Sequence, residues 1–148
     1  MKLRRVRRGN WGVIYAACTN RGDCQLLEFL AVTGSGNDQG DDQLSKKKNA
    51  DPIAKSKVRI LTLFNWVAEN GPPRNTEISH LIGDKIWQFS QGRIRVPWFY
   101  GERRELILSH GFLKTTEKTP TAEVEKAAET LRSYRKSLTD GMIERLED

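Results

Sequence analysis

Between residues 94 and 120 the chain gathers side chains suited to holding an anion and moving a proton. Arg95 stands inside the run IRVPWFY, where Ile94 and Val96 flank it and so fall on the opposite face of an extended strand. A guanidinium in such a place wants a carboxylate or a phosphate, and the pattern alone leaves both open: Glu105 across a hairpin, or an external phosphate. His110 follows an apolar run, and its imidazole can carry a proton near neutral pH. A lone histidine in an apolar strand is more often a satisfied core residue, so both readings stand. Lys114 and Lys118 come at and beyond the end of the same stretch, LSHGFLKTTEKTP, with the reach to meet a backbone phosphate. Thr115 and Thr116 between them can donate to phosphate oxygens or cap a turn.

These groups need a scaffold, and the surrounding periodicities supply one. Residues 85–91, 94–100 and 105–113 are three strand-like runs joined by two short Gly-Arg-containing turns, which predicts a meander of antiparallel strands. Pro97 cannot donate to a ladder, so a bulge or gap is expected there. Upstream, VIYAAC at residues 13–18 reads as a first strand, and residues 24–32 as two helical turns. Residues 53–70 form a second helix, with Ile60, Leu61, Phe64, Val67 and Ala68 on one face and Gly71 as its stop. Thr119 as cap and Pro120 at the first helical position open a last helix, whose stripe is Val124, Ala127, Ala128, Leu131 and Tyr134. The predicted order is β-α-α-β-β-β-α: a small α+β domain with a mainly antiparallel sheet and its helices on one side.

Within a single domain spanning residues 1–148, residues 34–52 carry one large apolar side chain and are expected to be a flexible insertion. Residues 139–148 read as a C-terminal tail. No apolar run nears the roughly 18 residues that a membrane span needs, and the cationic start lacks a secretory apolar segment. Cys18 and Cys24 fit neither a redox CxxC pair nor a zinc knuckle, so no metal and no cofactor is expected, and the cysteines read as reduced core or edge residues of a cytoplasmic protein. The net charge of +6 is concentrated in the first ten residues and the middle of the chain, while the last segment is acidic. Such a distribution suits a surface facing a polyanion, or only solubility.

The order of these runs and the residues in them resemble the RelE/HigB superfamily of bacterial and phage toxins, in its phage-derived HigB-like branch, from about Gly71 to Tyr134. The resemblance is carried by Ile86-Trp87-Gln88-Phe89, Ile94-Arg95-Val96, His110-Gly111-Phe112-Leu113-Lys114-Thr115, Lys118-Thr119-Pro120, Ala127 and Tyr134. Two departures stand out. Gln88 occupies a position where an acidic residue is common, and Ser90 and Thr115 occupy positions where basic ones are common.

The resemblance implies a RelE-like toxin that cleaves mRNA on the ribosome without a metal, and that is neutralised by a small helix-turn-helix antitoxin. Arg95, Lys114, His110 and Lys118 would then be the catalytic set. Arg74, Lys85, Arg93, Trp98, Tyr100, Arg103, Arg104 and Thr115 would contact RNA, the aromatic rings by stacking on splayed bases. Trp98 is assigned to the face of Arg95, an assignment that Pro97 weakens, and Trp87 to the core. Arg103 and Arg104 fit a solvated hairpin turn equally well. The departures at Gln88 and Thr115 keep a second reading open, a non-catalytic factor on the same fold that binds RNA or a host protein.

Overall fold

The computed structural model describes residues 1–31 and 51–147. Its elements are β1 (Lys2–Arg8), β2 (Val13–Cys18), α1 (Gln25–Ala31), α2 (Pro52–Asn70), β3 (Ser79–Gly83), β4 (Ile86–Gln91), β5 (Ile94–Tyr100), β6 (Glu105–Leu108), β7 (Phe112–Leu113), α3 (Thr121–Thr139) and β8 (Glu144–Leu146). The strands form one sheet in the order β3-β4-β5-β6-β2-β1-β8, with β7 also paired to β5. Pairing is antiparallel except for β2 with β6 and β1 with β8. The expected α+β class with a mainly antiparallel sheet is what the chain forms.

Alternation along β5 explains why both faces of the sheet are covered. Ile94, Val96 and Trp98 pack with Leu26, Leu30, Ile60, Phe64 and Val67 of α1 and α2. Phe99 turns the other way and packs with Ile107 and with Ala127, Leu131 and Tyr134 of α3. The expectation of helices on one side is therefore corrected. Period-2 burial of this kind requires a cover on each face, and α3 supplies the second. On α2 the buried stripe is Ile60, Leu63, Phe64, Val67 and Ala68, whereas Leu61 faces solvent.

Three strands lie where the sequence offers little apolar signal. β1 is KLRRVRR, with only Leu3 fully buried. β3 falls between the helix stop at Gly71 and the strand-like run that begins at residue 85, and β8 in the segment read as a tail. Glu147, just after β8, accepts from Arg5 and Arg8 at 3.0 and 3.2 Å and from the Tyr15 hydroxyl at 3.2 Å. Most of the stretch 34–52 lies outside the described residues. Its last two, Asp51 and Pro52, begin α2, where the Asp51 carboxylate accepts from the Ala54 amide.

Pro97 is accommodated in two different ways on its two sides. The β4 ladder runs through it without a shift, as Gln88↔Pro97. The other side is interrupted: β6 ends at Leu108, Ser109 donates to the Pro97 carbonyl, and β7 resumes opposite Ile94 and Arg95. The run read as one strand over 105–113 is therefore two. Gly111 sits in the break, where a Cβ would lie 2.6 Å from the Phe29 ring of α1, so only glycine lets the helix approach this closely. Gln25 completes that junction, donating to the Gly111 carbonyl at 2.9 Å and accepting from its amide at 2.8 Å. Cys18 and Cys24, read as separate reduced residues, are joined as a disulfide across the link between β2 and α1. No described helix is long and apolar enough to cross a membrane.

Candidate functional site

The three antiparallel pairs β3–β4, β4–β5 and β5–β7 set a row of polar side chains on the sheet face shared with α3. His80 pairs with Gln88, Ser90 with Arg95, and Arg95 with Phe112. Two residues past Phe112 comes Lys114, whose amide donates to the Arg93 carbonyl at 2.7 Å. Between this face and the segment leading into α3 lies a cleft of about 680 Å³. His80, Gln88, Ser90, Arg95, Lys114, Thr116, Lys118 and Thr119 line it, with Glu77 and Glu117 among the other lining residues.

Arg95 is half-buried, and its guanidinium donates only to backbone in the described contacts, to the carbonyls of Gly92 at 2.6 Å and Ile94 at 2.9 Å. Burial lowers its pKa from the usual arginine value, but a guanidinium remains a cation throughout the physiological range. Glu105, the alternative partner weighed from the sequence, is occupied elsewhere. Arg145 donates to both of its carboxylate oxygens at 2.7 and 3.0 Å, and to Glu102 at 3.2 Å. No described carboxylate pairs with Arg95. A half-buried cation that lines the cleft and has no described carboxylate partner is suited to bind an external anion.

Gln88 is 2% exposed and takes a hydrogen bond from the Thr119 hydroxyl at 3.3 Å. That bond explains why Thr119 does not cap α3 as expected: the helix starts at Thr121, and the cap position, Pro120, has no side-chain bond to offer. Thr119 ties the loop 114–120 across the cleft floor instead. Thr116 stiffens the same loop by donating to the Lys118 carbonyl at 2.7 Å.

The sequence-derived set divides in space. Arg95, Lys114 and Lys118 converge on the cleft. His110 does not line it. It is 2% exposed and held between Glu123, at 2.9 Å from Nε2, and Ser109, at 2.9 Å from Nδ1. Burial pushes its pKa down, with Lys126 adding to that and Glu123 opposing it. It pins α3 to the β6–β7 break. Thr115 is exposed outside the cleft lining, and Arg93, also exposed, donates to the Lys114 carbonyl at 3.2 Å. Lys85 occupies the β3–β4 turn, and Arg103 and Arg104 the β5–β6 turn, at the end of β5 remote from Arg95. Arg74 lies beyond the cleft, in a second depression.

Trp98 is on the face opposite Arg95, which corrects the shared-face assignment. Three positions separate the two residues, so alternation alone opposes them, and Pro97 introduces no shift in the β4 ladder. It packs between Trp87 and Phe89 with ring centroids 5.1 Å apart in each pair.

The residue missed by sequence reading is His80. β3 was not recognised, so nothing placed this imidazole opposite Gln88. The short apolar signal Leu81-Ile82 flanking it was the available clue. The exposed carboxylates Glu77 and Glu117 also line the cleft and were not singled out: Glu77 precedes the unrecognised β3, and Glu117 stands in the same loop as Lys114 and Lys118.

No curated protein matches the chain. The family model described as phage-derived protein Gp49-like matches residues 50–132. That span covers α2, the β3–β7 strands and most of α3, and thus every cleft residue named above. The chain belongs to the Gp49-like family of phage-derived proteins, a family of RelE-like, toxin-type proteins associated with toxin–antitoxin systems.

Proposed function

We propose that this protein is the toxin of a type II toxin–antitoxin pair of the HigB-like branch, an endoribonuclease that cleaves message in the cytoplasm, on the ribosome, through the cleft holding Arg95. The observation that carries this reading is the half-buried Arg95 guanidinium, which faces the cleft beside Lys114 and Lys118 with no described carboxylate partner.

Cleavage by the neighbouring ribose hydroxyl needs a base for the 2′-proton, an acid for the leaving 5′-oxygen, and cations for the charge that builds on phosphorus. Arg95, fixed by two backbone carbonyls, would hold two non-bridging oxygens with its fork, and Lys114 and Lys118 would add mobile positive charge from the loop. Preorganised charge of this kind is worth about 10²–10³ in rate for each donor. With a neutral amide at Gln88, proton transfer falls to His80, which faces Gln88 from β3, aided by the carboxylates of Glu77 or Glu117 at the rim. The antitoxin expected as partner would silence the enzyme by covering the cleft.

Induction of the protein in a bacterial host tests the reading. Wild type should arrest growth and be relieved by a co-expressed helix-turn-helix partner encoded beside it. Arg95→Ala should grow normally while still folding and still binding that partner. Arrest by the Arg95→Ala protein would move the activity away from this cleft, and absence of arrest by wild type would favour a passive binder.

A further inference from the structure

We infer that a second depression, around the edge strand from the main cleft, is a subsite for one unpaired nucleobase of the bound strand. The inference rests on the reading of the main cleft as an RNA site. The depression has a volume of about 480 Å³, within the size range of small-ligand sites, and is walled by Pro72, Pro73, Trp87, Trp98 and Tyr100 with Arg74 at its margin. It shares Thr76, His80 and Leu81 with the main cleft, so the two adjoin at β3.

Three features of the walls point to the same ligand chemistry. Trp87 and Trp98 stack at 5.1 Å and 20°, and Tyr100 meets them edge-on at 5.2 and 5.0 Å. This platform is not fully covered: Trp87 is half-buried, Tyr100 is 46% exposed, and Leu81 is 58% exposed. A further π-face can therefore be laid against it. Next, the Trp98 indole Nε1 is buried with no hydrogen-bond partner among the described residues. Buried donors are normally satisfied, and a base stacked on Trp87 and seated beside the edge of the Trp98 indole would bring a carbonyl oxygen or ring nitrogen to this one after a small side-chain shift. Last, the exposed Arg74 guanidinium at the margin can meet the adjoining phosphate. A flat ring, an in-plane acceptor and a nearby phosphate together describe a nucleotide. An apolar protein side chain would satisfy the first requirement only. Trp98 itself is 1% exposed, so its contribution is the N–H and not a stacking face.

The test uses the full chain labelled with nitrogen-15, reading the four tryptophan indole N–H signals during titration with uridine or adenosine 5′-monophosphate and, as control, ribose 5-phosphate. The Trp98 signal, assigned by its loss in Trp98→Phe, should move with a nucleotide and stay in place with ribose 5-phosphate. Tyr100→Ala, at an exposed position and so safe for folding, should weaken nucleotide binding by about tenfold. An abasic oligoribonucleotide should bind the wild type and Tyr100→Ala equally, and lose affinity with Arg95→Ala. A Trp98 signal indifferent to every nucleotide, while the abasic strand still binds through Arg95, would overturn the subsite and leave the main cleft standing, with the aromatic patch reassigned to protein contact. Loss of both interactions would overturn the two readings together.

Discussion

On the proposed reading, charge and proton roles fall to different residues. If Lys114 contributes positive charge and not a specific shape, Lys114→Arg should retain part of the growth-arrest activity and Lys114→Gln should lose it, with circular dichroism unchanged in both. His80→Gln should lower the single-turnover cleavage rate by about 10²–10⁴ with RNA affinity nearly unchanged, as expected of a proton carrier. His110 has a different consequence. Because burial holds its folded pKa below the ordinary 6.5, the unfolded chain binds the extra proton first as pH falls. Stability contributed by neutral His110 is present above 6.5 and is lost as pH drops through the lowered folded value. Melting temperature should therefore fall below pH 6.5, and His110→Gln should flatten that dependence. An unchanged slope in the variant would assign the effect to other groups.

Among the elements, those legible in the sequence are those whose burial is regular. β4, β5 and α2 announce themselves because each has an alternating or helical face in contact with the core. β1 and β8 were hidden because most of their side chains are charged, and their strand character comes from pairing with β2 and with each other more than from apolar content. β3 was hidden by brevity, and with it His80, Leu81 and Ile82 of the cleft lining. Arg95, Lys114 and Lys118 were legible because strand register and loop placement follow from local pattern. The placement of His110 outside the cleft lining was not, since only the packing of α3 shows Glu123 beside it. The junction of α1 with the β6–β7 break allows a direct check. Gly111→Ala would drive a methyl group against Phe29 and Leu26 and should cost about 1–3 kcal/mol, seen as a melting temperature lower by several degrees.

Across the whole molecule, if the cleft is an RNA site as proposed, the +6 charge and the cations Arg95, Lys114 and Lys118 on the cleft would make phosphate contact the largest contribution to RNA affinity. Cutting of message by this cleft through charge held by Arg95 is tested most directly by a map of cellular message 5′ ends after induction. Wild type should generate new internal 5′ ends within coding sequence before growth stops, and the folded, partner-binding Arg95→Ala protein should generate none. Growth arrest by wild type without new ends, or an identical set of ends from Arg95→Ala, would contradict it.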